Sequence, residues 1–187
     1  MRLSRKCSMP CQCRKTLVKK LSCACLIFRN PDVMAENDFE FVNNTFKALA
    51  ERKQQRGETS IDDIERVVLL VWHASGIIEN GGFRYFFECN LPLRQTSEAY
   101  SRIGVEEVAT ILSRVQELFP NRDIPDDYDE RMAIVEGIYE NQGDLLSNLE
   151  SEFYRADGLM EQQLAGWIRV HKDVFTAEQS DGKSEKR

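Results

Sequence analysis

The chain has 187 residues, a formal net charge of −6, 42% hydrophobic side chains and 30% charged side chains. These values are typical of a soluble globular protein and allow one domain with a substantial core. No segment reaches the roughly 20 consecutive apolar residues of a membrane-spanning helix, so we expect no contact with a membrane. Sparse prolines and little strand-like alternation predict an all-α fold, a single compact multi-helix domain around a buried central helix.

Charge is distributed unevenly along the chain. Residues 1–33 carry eight Lys/Arg and one Asp, which leaves 17 basic and 30 acidic side chains in residues 34–187, a net charge of −13. An acidic surface repels nucleic acid and attracts basic surfaces, so we expect no direct nucleic-acid binding by this part of the chain. An acidic surface that serves only solubility is the other interpretation.

Residues 1–33 differ from the rest in composition, since they are basic and hold five of the six cysteines. The apolar run Leu21–Phe28 is too short for the core of a signal peptide. Two Cys-x-Cys pairs lack the Cys-x2-Cys spacing and the nearby histidine of common zinc sites, so the pattern favours a metal only weakly. We favour a start at Met34, with a leader that is disordered or not part of the native protein, a helical domain over 34–176 and a polar tail over 177–187.

Apolar residues at helical spacing predict the remaining elements in chain order. The predicted helices are Glu36–Gln55, a central helix from a cap at Thr59 or Ser60 through Ile78, a short helix from Phe83, Thr96–Ile103, Val105–Phe119, Met132 to near Gly143, a helix around Leu145–Phe153, and Leu159–Phe175. Residues 121–130 are predicted to be an acidic connector.

The central stretch joins the most apolar segment, Val67–Trp72, to the sequence Asn80-Gly81-Gly82-Phe83. A helix that is apolar nearly all round is buried, and its flanking caps and length favour helix over strand. The paired glycines permit positive φ and a tight reversal, and Asn80 can cap the helix that follows. Rings such as Phe83 and Phe86 are predicted to pack over the central helix. We assign Asn80, Gly81, Gly82, Phe83 and Phe86 a structural role.

Residue patterns for catalysis or cofactor binding are not found. His73 and His171 lack a His-x3-His or Glu-x-x-His partner, and no Lys-Ser/Thr follows the paired glycines as in a phosphate loop. Cys89, the one cysteine of the acidic part, is expected to be a buried thiol, which suits a reducing cytoplasm. We therefore predict no catalytic residue, no metal and no cofactor.

Clusters of acidic residues are the unusual surface feature. Carboxylates held on rigid helices can imitate the phosphate rows of a duplex and so pair with the Lys and Arg of a DNA-binding protein. Charge alone favours an ordinary solvated face over mimicry. The candidate partner-binding carboxylates are Asp62, Asp63, Glu65, Glu106, Glu107, Asp123, Asp126, Asp127, Asp129, Glu130, Glu150, Glu152, Asp157 and Glu161.

Three stretches resemble the bacterial DNA-mimic family, whose domain carries an Asn-Gly-Gly-Phe motif. They are VVLLVWHASGIIENGGFRYFFECN, SEAYSRIGVEEVATILSRVQELFP and LLSNLESEFYRADGLMEQQLAGWIRVHKDVF, in the family's order between about Glu36 and Phe175. The resemblance implies an acidic, all-helical, dimeric protein that occupies the DNA-binding surface of a transcription regulator. The matching residues are those that a fold requires, and the acidic positions are not part of the resemblance.

Three hypotheses follow from the sequence. The first is a cytoplasmic binding protein that occupies a basic, DNA-binding partner and forms a homodimer. The second is an immunity- or stress-type protein that neutralises a toxin or an enzyme with the same acidic face. The third, least favoured, is an enzyme with His73 or Cys89 near the Asn80 turn.

Overall fold

The computed structural model describes residues 37–177, which are helical and contain no strand. The all-α prediction is therefore confirmed for this part, whereas the predictions for residues 1–33 and for most of the polar tail fall outside it. The α-helices are α1 (Asp38–Arg56), α2 (Asp63–Glu88), α3 (Leu93–Arg102), α4 (Glu106–Gln116), α5 (Tyr128–Ala156), α6 (Met160–Val170) and α7 (Lys172–Ala177), with 3-10 turns at Glu58–Ser60, Pro120–Arg122 and Asp157–Leu159.

Helix α2 is the centre of the core, because it contacts α1, α3, α5, α6 and α7. Its residues Val68, Val71, Ala74, Ile77 and Ile78 are fully buried. A helix surrounded on several sides needs an apolar surface over most of its circumference, which is the pattern that the sequence shows.

The cap of α2 is Asp62, so the predicted cap at Thr59 or Ser60 is wrong. Asp62 accepts a hydrogen bond from the backbone N–H of Ile64 at 2.7 Å, and its own N–H donates to Glu65 at 2.9 Å. This reciprocal pair is a capping box, which satisfies two backbone donors at once. Ser60 instead closes the preceding 3-10 turn by donating to Gly57 O.

The two glycines of α2 bend the helix, and the tight reversal predicted there is wrong. Gly81 and Gly82 leave helical geometry, Gly82 at φ 65° and ψ −167°, and helix resumes to Glu88. Asn80 does not cap this second part, since its amide donates to Gly76 O. The N–H of Phe83 donates instead to Glu150 of α5 at 2.9 Å, so a side chain from another helix supplies the cap.

The aromatic residues after the bend belong to the core. Phe83 and Phe86 are fully buried, and the ring of Phe83 meets that of Phe153 edge-on at 6.1 Å between centroids. Tyr100 of α3 meets the same Phe153 ring at 6.2 Å. Rings from α2, α3 and α5 therefore interlock in the favoured edge-to-face arrangement.

Several helix boundaries differ from the predicted ones. Helix α3 begins at Leu93, since buried Thr96 donates to Pro92 O inside the first turn and does not cap the helix. The two helices predicted on either side of Gly143 are one helix, α5, with a single non-helical residue at Gln142. Ile138 and Leu146 are both buried, so core contacts continue across that point. The last predicted helix is divided at His171 into α6 and α7.

Candidate partner-binding surface

The two histidines pack against aromatic rings. His73 is half-buried on α2, 6.2 Å from the Phe46 ring centroid, and burial lowers its pKa. His171 lies on Trp167, with 4.1 Å between ring centroids, and its Nδ1 is 2.9 Å from Trp167 O. Within residues 37–177 no group of three or more His, Cys, Asp or Glu is placed to hold a metal ion. Neither ring therefore shows the partners expected of a catalytic or metal-binding histidine.

Glu65 is one of the candidate carboxylates, yet it is only 2% exposed. Its Oε2 accepts the Asp62 N–H of the capping box and forms an ion pair with Arg52 of α1. A buried carboxylate requires such compensation, because its desolvation is costly. Glu65 therefore joins α1 to α2 and lies inside the fold, out of a partner's reach.

Glu150 also has an internal role. Its Oε1 accepts the Phe83 N–H at 2.9 Å and the hydroxyl of Tyr139 at 3.0 Å. Gly82 makes this approach possible, since a Cβ at Gly82 would lie 2.3 Å from Glu150 Oε1. The carboxylate holds the bend of α2, which limits its use on an outer surface.

Two candidates, exposed Asp63 and half-buried Glu152, are neutralised across helices. Asp63 at the start of α2 pairs with Arg102 of α3 at 2.9 Å, and Glu152 of α5 pairs with Arg114 of α4 at 2.5 Å. Exposed pairs of this kind contribute only about 0–1 kcal/mol to stability. Each nevertheless reduces the negative potential that a basic partner would meet.

The acidic residues between α4 and the first turn of α5 are the largest exposed group of candidates. We call them the connector cluster: Asp123, Asp126, Asp127, Asp129 and Glu130. All five are exposed, and no ion pair of theirs is found in the described part of the chain. Asp127 caps α5 by accepting the Glu130 N–H at 2.9 Å. The cluster therefore presents uncompensated negative charge.

A buried arginine fixes the connector cluster in place. Arg131 is 2% exposed, and its Nε donates to Phe87 O at the end of α2 at 2.9 Å. Its Nη1 donates to Pro125 O at 2.8 Å and to Asp126 O at 2.9 Å. Because the guanidinium binds backbone carbonyls, it holds the connector rigidly while the connector carboxylates keep their charge.

An exposed aromatic residue lies among these carboxylates. Tyr128, the first residue of α5, is 52% exposed, and the Arg131 guanidinium lies 5.8 Å from its ring centroid. Tyrosine combines apolar contact area with few rotatable bonds, so it is enriched among residues that dominate interfaces. The connector cluster thus surrounds a side chain suited to contact with a protein.

Glu106 and Glu107 are exposed in the first turn of α4, where the helix dipole favours negative charge. Glu106 also accepts a hydrogen bond from Ser101 of α3. Asp62 is exposed, and Glu161 is exposed in the first turn of α6. Asp157 is only 7% exposed and accepts the hydroxyl of Ser75.

Residues 37–177 contain 14 Lys/Arg and 26 Asp/Glu, a net charge of −12. A family model described as DMP19-like protein matches residues 59–171, more than half of the chain. The chain belongs to the DMP19-like family. This is a family of DNA mimics, which are typically not enzymes. No curated protein and no solved structure matches the chain significantly.

The DMP19-like match extends from the 3-10 turn before α2 to the end of α6, so it includes the bend at Gly82 and the connector cluster. None of the helices in residues 37–177 is long and apolar enough to cross a membrane.

Sequence reasoning missed which acids of this DMP19-like domain point inward. For Glu65 a local pattern was present, since Asp62 and Glu65 have the spacing of a capping box. For Glu150 no local pattern exists, because its partner Phe83 is 67 residues away.

Proposed function

We propose that the chain is an acidic binding protein that occupies the DNA-binding surface of a basic partner, such as a transcription regulator. Membership of a DNA-mimic family supports binding to a DNA-binding protein. The observation that carries the proposal is the connector cluster, a group of exposed carboxylates without ion pairs on a segment fixed by Arg131.

The binding free energy that the connector carboxylates supply follows from the usual strength of exposed ion pairs. Exposed ion pairs contribute roughly 0.2–1 kcal/mol each. Loss of three carboxylates should therefore weaken binding by about 0.6–3 kcal/mol, or roughly 3- to 150-fold in Kd. Because charges in an exposed site act over a Debye length of about 8 Å at physiological salt and about 30 Å at 0.01 M, affinity should fall steeply with salt.

The test is affinity capture with the full chain from lysate of its source at low salt, followed by competition with duplex DNA. A DNA mimic should retain a basic DNA-binding protein, which DNA should then release, since both would contact the same surface of that protein. If no basic or DNA-binding protein is retained, or if DNA does not release it, the proposal is wrong.

Two variants localise the contact. The triple variant Asp126→Asn, Asp129→Asn, Glu130→Gln removes three connector charges and leaves the Asp127 cap intact. The double variant Glu140→Gln, Asp144→Asn removes exposed acids from the middle of α5 as a control. We expect the triple variant to lose affinity and the control to lose much less.

The homodimer implied by the resemblance also stays a proposal. Two exposed apolar side chains near α6, Leu159 at 60% and Val170 at 79% exposure, are the kind of residue that a dimer would cover. Mass measurement in solution by light scattering tests this, and a monomer at micromolar concentration would contradict it. Cytoplasmic localisation stays a prediction from the cysteine content.

A further inference from the structure

A groove of about 720 Å³ lies between α1 and the helices α6 and α7. Its α1 wall is formed by residues three or four apart, from Phe41 through Thr45, Ala48 and Arg52 to Gln55. Residues at this spacing share one face of a helix, so the groove follows the axis of α1. Phe41 and Gln55 are 14 residues apart, which at about 1.5 Å per residue gives the groove a length of about 21 Å.

Apolar side chains form the floor and part of the walls of this groove. Leu49 of α1 and Ile168 of α6 are buried beneath it. Phe41 of α1 and Phe175 of α7 are half-buried and add ring surface. Ala48 is exposed, and its small side chain leaves the middle of the groove open. A mainly apolar cavity of this size is typical of a small-molecule site.

The charged residues of the groove are mainly basic, although the surrounding protein is acidic. Four cations and two carboxylates line it: Arg52, Arg56, Arg169, Lys172, Glu51 and Glu65. Four minus two gives the groove a net charge of +2, whereas residues 37–177 as a whole carry −12. This local reversal of charge favours an anionic ligand over a neutral or cationic one.

Two of the cations stabilise the groove itself. Arg52 forms its ion pair with the buried Glu65 at the floor. Arg169 pairs with Asp38 at 2.5 Å, and its guanidinium lies 5.0 Å from the ring centroid of Phe41. These contacts fix α6 against the first turns of α1 and hold the walls in place.

The other two cations lie at the rim. Arg56, in the last turn of α1, is exposed and makes no ion pair within residues 37–177. Lys172 is exposed at the start of α7, on the facing wall. An anion that enters the groove therefore meets positive charge beside an apolar floor.

The dimensions of the groove exclude a helix as its occupant. About 720 Å³ over about 21 Å gives a mean cross-section of about 34 Å², equivalent to a width of about 7 Å. A helix with its side chains is about 10–12 Å across. An extended peptide is narrower, but it needs a strand edge for its backbone N–H and C=O groups, and helices line this groove.

A slender apolar chain with one negative head group fits the width, the floor and the charge of the groove. We propose that the groove binds an organic anion of this class, such as a medium-chain carboxylate. The chain lies on Leu49, Ile168 and Phe175. The rim cations Arg56 and Lys172 attract the carboxylate, for which an arginine fork is a favourable partner.

Titration of the full chain with octanoate tests the groove without any protein partner. Calorimetry measures Kd, and backbone amide shifts in NMR should locate the probe at Ala48, Leu49, Ile168 and Phe175. Decanoate should bind up to about 15-fold more tightly, because each buried CH₂ contributes up to about fourfold. Octanol and octylammonium have the same chain with a neutral or positive head group, and both should bind more weakly than octanoate.

Variants separate the head group from the chain. Arg56→Gln with Lys172→Gln should weaken octanoate binding about 2- to 30-fold, the combined strength of two exposed ion pairs. The control, Lys47→Gln with Arg155→Gln, removes the same two charges from exposed positions outside the groove and should bind like the wild type. Ala48→Leu keeps every charge, suits a helix and fills the groove, so it should weaken binding about fivefold or more.

Several results would overturn the proposal. They are octanol binding as tight as octanoate binding, equal affinity for octanoate and decanoate, or unchanged octanoate affinity in Arg56→Gln with Lys172→Gln. Amide shifts confined to other helices, or no binding at all, would also do so, and a groove closed by a second copy of the chain would give that last result.

The groove and the connector cluster are tested separately. The groove lies at the Glu65 end of α2, whereas Arg131 holds the connector cluster at the Phe87 end. Octanoate binding without capture of a basic protein would uphold the groove and reject the proposed function. Capture of a basic protein without octanoate binding would do the reverse.

Discussion

Replacement of Gly82 by alanine tests how the bend of α2 is held. At φ 65° and ψ −167°, Gly82 has a backbone conformation that is almost restricted to glycine. An added Cβ would lie 2.3 Å from Glu150 Oε1 and 2.9 Å from its carboxyl carbon. The substitution therefore strains the backbone and displaces the carboxylate that caps Phe83.

The loss of stability is the sum of the backbone strain and the lost hydrogen bond. A non-glycine residue in this region costs about 1–3 kcal/mol. Displacement of Glu150 leaves the Phe83 N–H without its acceptor, which costs about 1–3 kcal/mol more. We expect Gly82→Ala to lower the free energy of unfolding by about 2–6 kcal/mol, a large part of the 5–15 kcal/mol that is typical of a domain.

Urea unfolding followed by circular dichroism at 222 nm measures this change. With a slope of about 1–3 kcal/mol per molar urea, the unfolding midpoint should fall by roughly 1 M or more. Gly137→Ala is the control, because Gly137 lies inside α5 with open space around the added Cβ. That substitution should leave stability unchanged or raise it by about 0.5–1 kcal/mol.

A double variant separates strain from displacement. In a Glu150→Ala background no carboxylate is left for the new Cβ to displace, so Gly82→Ala should cost about 1–3 kcal/mol for the backbone alone. A midpoint for Gly82→Ala close to that of the wild type would refute the reasoning. So would an equal cost of Gly82→Ala in both backgrounds, because the clash with Glu150 would then have no effect.

Three further substitutions test other buried polar contacts. Asp157→Asn should change the pH dependence of stability. Burial raises the pKa of Asp157 in the folded protein, so the protonated carboxyl stabilises the fold. That stabilisation is complete below the ordinary Asp pKa of about 3.9 and is lost as pH rises through the folded-state pKa. Urea midpoints from pH 4 to 8 should fall less steeply for the variant, and parallel curves would contradict this. Arg131→Met should lower the free energy of unfolding by about 2–4 kcal/mol, because buried carbonyls lose their donor. It should also weaken partner capture, although every connector carboxylate is retained. Unchanged capture by a folded variant would show that connector rigidity is unimportant. Glu65→Gln should cost about 2–4 kcal/mol, because Arg52 loses the buried carboxylate with which it pairs; a change below 0.5 kcal/mol in thermal or urea unfolding would exclude a role for that pair in stability.

Local patterns in the sequence predicted much of the fold. The all-round apolar surface of α2 predicted its central position, and the glycines predicted the break in its helix. The predicted helix boundaries were less accurate where a residue could either begin a helix or lie within it. The predicted helix began at Thr96, for example, but Thr96 is buried and bonds to Pro92 O inside a helix that begins at Leu93.

The candidate surface was only partly predictable, because the sequence gives the positions of carboxylates but not their partners. Glu65 and Glu150 looked equivalent to the connector acids, yet one is buried beside Arg52 and the other caps Phe83. The burial of Asp157 was missed for the same reason. Asp157 accepts the hydroxyl of Ser75, which is 82 residues away in the chain.

The sequence alone determined the helical fold class, the excess of acid and the likeness to DNA mimics, because periodicity, composition and motifs are properties of neighbouring residues. Only the tertiary structure decided which carboxylates remain uncompensated. Asp63 forms an ion pair with Arg102, which is 39 residues away in the chain. Asp126 and Asp129, by contrast, pair with no cation in the described residues. Charge compensation depends on distances of a few ångströms between helices, and packing alone sets those distances.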